Sequence, residues 1–365
     1  MHYGTLRRRR LPLLLAATAL LGSLLTACST VKAAATWDDP RQPVSGGASP
    51  GAGPAPLWTG PGQVQAKGSA ESTAGRTPAF DITPLLHPAK KYLGVEIDGA
   101  PDSIAPAEQF ASWVGQKPSM IGQYLAWGTS FDAKAASNAY SYGAMDFVVW
   151  EPWNTTLANI ASGASDDYVT RFATAVRAAN VPIALSFGHE FNGNWYPWGT
   201  SGTGATAADF VAAWQHIHKL FTAAGATNVI WIWDPNDIYP VPDVQLKSYF
   251  PGDAYVDWVG VTGYWTQPGP NTYGSLYLPT LEEIREFTQK PFIIAETSVA
   301  SGSNQSRSLT ALFDAVEQHA DILGFVWYDY DKGGDWRIEN RPSLMTQFTT
   351  DLSQGGFGVK VNAAS

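Results

Sequence analysis

One short segment concentrates the side chains best suited to chemistry. Residues 188–198 read GHEFNGNWYPW and combine a carboxyl group, an imidazole, two amides and large aromatic rings. This mixture is typical of a sugar-binding cleft, where a few polar groups orient the ligand and aromatic faces cover its apolar side. Residues 181–187 form an apolar, strand-like run, so Glu190 is expected where a buried strand emerges into a loop. The sequence therefore indicates a reactive carboxyl group at this position.

Two other interpretations compete with a reactive acid. His189 and Glu190 could form a structural ion pair at a strand end, with the aromatic rings serving as core. A zinc site of the metalloprotease type needs a second histidine four residues after the first, and that position is Gly193. His216 and His218 are two residues apart in a helical stretch and therefore point to different sides. The sequence thus predicts neither a metal site nor an organic cofactor.

A second carboxyl group ends another apolar run. Residues 292–298 read FIIAETS, so Glu296 also stands at the end of a predicted buried strand. Hydrolysis of a glycosidic bond needs two carboxyl groups, one to protonate the leaving oxygen and one to act as nucleophile or to activate water. Glu190 and Glu296 are therefore the predicted catalytic pair.

Alternating strand-like and helix-like runs must position this pair. Eight strands are predicted at 92–98, 120–127, 145–150, 182–188, 228–233, 258–264, 291–295 and 323–328. Eight helices are predicted at 107–114, 133–140, 166–179, 207–224, 244–249, 281–289, 306–320 and 342–352. Eight of each indicate a single α/β domain of the (β/α)8 TIM-barrel type. An open doubly wound sheet would need a glycine-rich phosphate turn after an early strand, and the sequence lacks one.

The C-terminal strand ends of such a barrel form its active site. Glu190 follows the fourth strand and Glu296 the seventh, which puts them on opposite sides of the barrel mouth. The other strand ends are rich in acidic, amide and aromatic residues, among them Glu96, Asp234, Asn236, Tyr264 and Trp327. These positions predict binding platforms for sugar rings around the acidic pair.

The N-terminus has the layout of a secretory leader. Four arginines at 7–10 precede an apolar stretch at 11–25 that is short for a membrane span. Residues 25–28 read LTAC and resemble a bacterial lipobox, so 1–27 is interpreted as a lipoprotein signal peptide. Cys28, the only cysteine, is then the lipid anchor and the sole membrane contact of a cell-surface protein. Ordinary secretion with cleavage nearby is the alternative.

Composition separates a tether from a catalytic domain. Residues 28–89 are rich in Gly, Ala, Pro and Ser and predict a flexible tether, whereas 90–355 has the length of one barrel. Without the four leader arginines, 19 basic residues face 32 acidic ones, a formal charge of −13. This balance excludes nucleic acid as a natural partner and favours an uncharged polysaccharide. A monomer is expected.

Several ordered motifs of the domain resemble those of glycoside hydrolase family 26, a family of (β/α)8 enzymes. The matching segments are 189–198, 228–233 followed by Pro235-Asn236, 255–264, 290–297, and Trp327 with 335–337. The resemblance implies a retaining mechanism with Glu190 as general acid/base and Glu296 as nucleophile.

The resemblance also implies roles for neighbouring residues. His189 would shape the subsite at the scissile bond, Tyr264 would donate a hydrogen bond to Glu296, and Trp327 would form the floor under the sugar being cleaved. Asn194, Trp195 and Trp198 are predicted to line the cleft, although either tryptophan could instead brace the loop.

The expected activity is that of an endo-β-1,4-mannanase, with three alternatives. These are a mixed-linkage β-1,3-1,4-glucanase, a hydrolase that trims the cell's own exopolysaccharide, and a lipoprotein that binds polysaccharide without cleaving it. One departure from the family pattern is Ser186, where many relatives have an arginine that would orient the catalytic carboxylates. Either a base from another strand replaces this arginine, or the preferred sugar has changed.

Overall fold

A computed structural model describes residues 78–200, 205–266 and 268–363. Eight parallel strands form a closed barrel in sequential order. They are β1 Tyr92–Ile97, β2 Met120–Ala126, β3 Met145–Glu151, β4 Ile183–Phe187, β5 Val229–Trp233, β6 Trp258–Thr262, β7 Phe292–Thr297 and β8 Ile322–Asp329. The predicted (β/α)8 barrel is confirmed, and each predicted strand lies within two residues of an observed one.

Helices connect the strands and cover the barrel. They are α1 Thr83–Leu86, α2 Ala105–Val114, α3 Ala133–Tyr142, α4 Leu157–Ala161, α5 Asp166–Ala179, α6 Ala207–Ala224, α7 Tyr273–Leu276, α8 Leu278–Arg285, α9 Gln305–Gln318 and α10 Pro342–Gln354. Short 3₁₀ turns occur at Leu246–Tyr249, Asp253–Tyr255, Ile338–Asn340 and Val361–Ala363. None of these helices, within the three described ranges, is long and apolar enough to cross a membrane.

The predicted helix at 244–249 is wrong in type. The structure has only the four-residue 3₁₀ turn Leu246–Tyr249 there. Pro242 and Pro251 lie close on either side of this segment. Because proline lacks an N–H group and restricts the residue before it, too little chain remains between them for a regular helix.

Both faces of most strands are buried, as expected for a parallel barrel, whereas β2 becomes partly exposed toward its C-terminal end. One apolar cluster fills the barrel interior and includes Tyr92, Phe147 and Ile293. A second and larger cluster lies between the strands and the helices. It includes Leu93 of β1 and Phe110 of α2. The alternation of Tyr92 and Leu93 between these clusters follows from the two-residue repeat of a strand.

The N-terminal end of the barrel is closed by α1. Leu85 is buried there, its carbonyl oxygen accepts a 2.8 Å hydrogen bond from Tyr92 Oη, and the Leu86 carbonyl accepts one of 3.1 Å from Trp258 Nε1. The packed domain therefore begins before residue 90, the predicted boundary, because apolar residues near 80–86 cover the barrel floor. Buried Val361 extends the packed part past the predicted end at residue 355. Residues 1–77, with Cys28, the leader and most of the tether, lie outside the described residues.

Candidate active site

Glu190 lies three residues beyond the end of β4, at the barrel mouth. Its backbone N–H donates a 2.7 Å hydrogen bond to the carbonyl oxygen of Asp234, which ties the loop to the end of β5. The backbone of Glu190 has a φ of 51°, in the left-handed region that residues with a side chain rarely adopt. Such strained backbone is typical of functional sites, where the surrounding contacts hold it in place.

Two side-chain donors hold the carboxyl group of Glu190. Trp195 Nε1 donates to Oε2 at 2.7 Å, and Asn236 Nδ2 donates to Oε1 at 2.5 Å. Asn236 is fixed in turn by Asn192, whose side chain pairs with both backbone groups of Asn236 at 2.8 Å. Gly193 allows the Trp195 indole to fold back over the loop, because a Cβ there would lie 2.4 Å from the ring.

The environment of Glu190 favours its protonated form. Its side chain is buried, and burial, followed by repulsion from Glu296, raises its pKa to about 8. The hydrogen bonds from Trp195 and Asn236 oppose this rise because they stabilise the ionised form. Glu190 is therefore a protonated acid at neutral pH whose conjugate base already has two donors in place.

Glu296 on β7 has a different environment. Tyr264 Oη donates to its Oε1, as the family resemblance implied, and Tyr124 Oη contacts its Oε2. The pKa of each tyrosine lies well above its ordinary value, first because of burial and then because of the charge of Glu296, so both hydroxyls keep their protons. Hydroxyl donors stabilise the ionised form of a carboxyl group. The two carboxyl groups thus have unlike environments: burial favours the protonated form of Glu190, whereas hydroxyl donors favour the ionised form of Glu296.

Sequence reasoning missed Tyr124, which lies inside the predicted second strand. Its hydroxyl also contacts Glu96 Oε2 of β1 at 2.8 Å. A tyrosine within an apolar strand is usually interpreted as a core residue. Only knowledge of which face of β2 it shares with Glu96 and Glu296 could have identified it. Asp234 and Asn236 were recognised as strand-end residues, but their contacts with the Glu190 loop were not predicted.

His189 and Asn194 occupy different parts of the same loop. His189 is buried, with its ring centroid 4.9 Å from that of Tyr196 and 6.0 Å from that of Tyr124. It therefore lies next to Glu190 in the chain and on the side of Tyr124 and β2. Asn194 is exposed at the rim, next to Trp195.

The prediction that Trp327 forms the sugar floor is wrong. Its side chain is 0% exposed and lies in the layer between strands and helices, with its ring centroid 5.2 Å from that of Phe348 on α10. Its indole N–H donates to Asp329 on the same outer face of β8. Tyr328, one residue on, faces the mouth instead, with its ring 5.8 Å from that of Tyr264.

Trp198 does not line the cleft either. It is 2% exposed, stacks on Tyr196 with ring centroids 4.5 Å apart, and donates to the His189 carbonyl oxygen at 2.7 Å. It braces the loop, which was the alternative role for this residue. Trp336, from the segment after β8, is also buried and packs against Tyr264, with the two ring centroids 4.9 Å apart.

Ser186 belongs to a buried polar network around Asp234. Its hydroxyl is 3.5 Å from Asp234 Oδ2, and the Thr262 hydroxyl is 3.4 Å from Asp234 Oδ1. Burial, then the charges of Glu296 and Glu190, raise the pKa of Asp234 well above its ordinary value. An acid whose burial favours the protonated form, and which two hydroxyls contact, therefore occupies this side of the site. Within the described ranges, no group of three or more His, Cys, Asp and Glu side chains could hold a metal ion.

The barrel and its unlike carboxyl groups define a class of protein. A (β/α)8 fold with a protonated acid and a carboxylate at the strand ends is the arrangement used by glycoside hydrolases. A family model described as glycosyl hydrolase family 26 matches residues 126–339. The chain belongs to this family, as its motifs indicated.

The relatives of this chain carry names that indicate different substrates. Endoglucanase H of Acetivibrio thermocellus is 31% identical over 268 residues, which cover 70% of this chain and 30% of that protein. Mannan endo-1,4-beta-mannosidase A and B of Caldalkalibacillus mannanilyticus is 27% identical over 46% of this chain and 32% of its own length. The chain thus spans about a third of these two relatives.

Solved structures agree in fold. The catalytic domain of a Bacillus sp. JAMB-750 GH26 endo-beta-1,4-mannanase superposes with a TM-score of 0.60 at 15% identity, covering 76% of this chain and 89% of that one. A GH26 beta-mannanase from Bacteroides ovatus gives a TM-score of 0.56 at 15% identity, over 76% and 92% of the two chains. At this identity the likeness supports the barrel alone.

Proposed function

We propose that this protein is a retaining endo-β-glycoside hydrolase with Glu190 as general acid/base and Glu296 as nucleophile. The observation that carries the proposal is the contrast between their environments. Burial keeps the proton on Glu190, whereas two tyrosine hydroxyls surround the oxygens of Glu296. A double displacement requires this contrast at the start of the reaction.

The first step forms a covalent glycosyl-enzyme. A Glu296 oxygen attacks the anomeric carbon, the bond to the leaving oxygen breaks, and Glu190 gives its proton to that oxygen. Glu190 is then a carboxylate, and the indole N–H of Trp195 and the amide of Asn236 stabilise its charge. The oxygen that attacks must give up its tyrosine hydroxyl partner as the ester bond forms.

The second step releases the sugar. Glu190 takes a proton from a water molecule, which attacks the anomeric carbon and breaks the ester to Glu296. The product keeps the configuration of the substrate, and both carboxyl groups return to their starting states. Glu296 carries no charge while the ester exists, so it no longer raises the pKa of Glu190. Glu190 therefore stays ionised and is available as a base in this step.

The proposed substrate is a neutral β-linked polysaccharide, with β-1,4-mannan as the first candidate. Four of the named relatives are mannan endo-1,4-beta-mannosidases. A β-glucan is the second candidate, because the relative with 31% identity is an endoglucanase. The replacement of the family arginine by Ser186 changes the polar groups beneath the site and keeps the second candidate open to test.

The test compares the wild type with Glu190→Ala and Glu296→Ala in a reducing-sugar assay. The panel contains mannan, galactomannan, glucomannan, mixed-linkage glucan, xylan and a charged exopolysaccharide. Glu296→Ala should abolish the glycosyl-enzyme. Glu190→Ala should lose activity on polysaccharide but still form the glycosyl-enzyme from an activated aryl β-glycoside, and added azide should intercept it.

The anomer released first decides the mechanism. Proton NMR of fresh product should show the β-anomer, and initial release of the α-anomer would overturn retention. A wild type that binds polysaccharide and cleaves none of the panel would favour the non-catalytic lipoprotein. Undiminished activity in both variants would remove Glu190 and Glu296 from the site.

The proposed location is the bacterial cell surface, with Cys28 as the lipid anchor. The support is the basic run at 7–10, the apolar stretch at 11–25 and the LTAC sequence at 25–28. The tether between Cys28 and the barrel would hold the mouth clear of the membrane, where a polymer can reach it. Cell fractionation with lipid labelling tests this.

A further inference from the structure

Tyr124 contacts two carboxyl groups with one hydroxyl. Its Oη lies 2.8 Å from Glu96 Oε2 and is also within hydrogen-bonding distance of Glu296 Oε2. Burial keeps Tyr124 neutral, because it raises the pKa of the phenol well above its ordinary value. The hydroxyl therefore holds one proton and can donate to one of the two carboxyl groups at a time.

The second contact needs a second proton. If Tyr124 donates to one carboxylate, its oxygen turns lone pairs toward the other, and two acceptors without a proton between them repel at such a distance. A proton on Glu296 would make it a poor nucleophile. A proton on Glu96 satisfies both contacts, because Glu96 then donates to Tyr124 Oη while Tyr124 donates to Glu296.

The surroundings of Glu96 fit a neutral acid. Glu96 is 0% exposed, and Gly122 of β2 leaves room for it, because a Cβ at that glycine would lie 2.3 Å from Glu96 Cγ. An ionised carboxyl group is costly to bury, above all beside other carboxyl groups. The titratable groups around Glu96, Tyr124 and Glu296 include Tyr264, Tyr328, Glu190, Asp234 and His189.

We infer that Glu96 is a positioning residue for the nucleophile. As a buried carboxylic acid it donates to Tyr124 Oη and so fixes the single hydroxyl proton of Tyr124 toward Glu296. Glu96 is 0% exposed, so it acts on the nucleophile through Tyr124 and not through contact with the substrate. The inference rests on the proposed role of Glu296 and adds a residue from β1 that sets its protonation.

The matched variants are Glu96→Gln and Glu96→Leu. The amide of glutamine has nearly the same shape and can donate to Tyr124 Oη, whereas leucine cannot. The acid limb of the pH profile of kcat/KM on an activated aryl β-glycoside reports the ionisation that the nucleophile needs. Glu96→Gln should leave this limb at the pH of the wild type, because it removes no charge and keeps the donor. Glu96→Leu removes the neutral hydrogen bond that orients and polarises the Tyr124 hydroxyl, so it should move the acid limb to higher pH and lower kcat roughly two- to tenfold.

A charged Glu96 would give a different result. Removing a negative charge from the far side of the Tyr124 hydroxyl would move the acid limb of Glu96→Gln down by roughly two pH units. That shift, or a Glu96→Leu variant indistinguishable from the wild type, would overturn the inference. In a Tyr124→Phe background neither substitution should move the limb further, because Glu96 acts through the missing hydroxyl.

Infrared difference spectroscopy tests the protonation without any enzymatic assay. The wild-type spectrum at neutral pH should contain the C=O stretch of one protonated carboxylic acid that is absent from Glu96→Gln. Absence of that band would overturn the inference even if Glu96→Leu does not fold. The proposed function fails separately, if Glu296→Ala remains active, whatever the infrared result.

Discussion

Trp195→Phe isolates the hydrogen bond that supports the ionised form of Glu190. The indole N–H of Trp195 donates to Glu190 Oε2 at 2.7 Å, and this bond opposes the rise of the Glu190 pKa to about 8. Phenylalanine keeps an aromatic ring and removes the donor. Hydrogen bonds to charged groups contribute about 1.5–3 kcal/mol, which corresponds to about one to two pKa units.

The sign of the effect follows from which form the donor stabilises. Losing it favours the protonated acid, so the pKa of Glu190 should rise and the alkaline limb of kcat/KM should move up from near pH 8 by about one unit. The assay is the pH profile of kcat/KM on the polysaccharide that the wild type cleaves best. Changes in KM from altered sugar contact would not by themselves move this limb.

Trp198→Phe is the matched control. Its indole N–H also makes a 2.7 Å hydrogen bond, but the acceptor is the carbonyl oxygen of His189. This variant should lose about 0.5–1.5 kcal/mol of stability and keep the alkaline limb of the wild type. An unmoved limb in Trp195→Phe, or equal shifts in both variants, would refute the assignment of the limb to Glu190 and its indole donor.

Three further predictions concern stability, the sugar platform and the anchor. Burial raises the pKa of Asp146 to about 7. The folded state therefore keeps a proton on Asp146 that the unfolded chain loses near pH 4. The free energy of unfolding should consequently fall as pH rises from about 4 to 7. Asp146→Asn should therefore gain up to about 4 kcal/mol relative to the wild type between pH 4 and 8 in calorimetry, and a constant difference would contradict this. Trp327→Phe should lower Tm and keep kcat/KM on polysaccharide within about twofold, because the Trp327 ring is buried between the strands and the helices. A loss of kcat/KM with an unchanged Tm would return the sugar floor to Trp327. Cys28→Ser should move the protein from the membrane fraction to the medium or leave an uncut precursor, and an unlipidated, soluble wild type would refute the anchor.

The sequence determined the barrel and the approximate place of Glu190 and Glu296 within it. Apolar runs of strand length alternate with helical runs, and this pattern is local, so each strand could be located within two residues. The rule that active sites form at C-terminal strand ends then converted sequence positions into a location for Glu190 and Glu296. The donor from Tyr264 came from the family motif and not from the pattern.

Tertiary structure alone decided which strand residues face the mouth. In a parallel barrel both faces of each strand are buried, so Trp327 and Tyr328 look equally suited to the core and the sequence carries no polar face that fixes their parity. The register shifts between β7 and β8 that set this parity depend on packing around the closed barrel.

The Glu96–Tyr124–Glu296 cluster had the same origin. Its members come from three strands, and Tyr124 and Glu296 are 172 positions apart in the chain. No local pattern links such distant residues, because their contact exists only once the barrel closes and the tilt of its strands brings their side chains to one level. The acids could be predicted from the sequence, whereas the position of the Tyr124 hydroxyl between them depends on closure of the barrel.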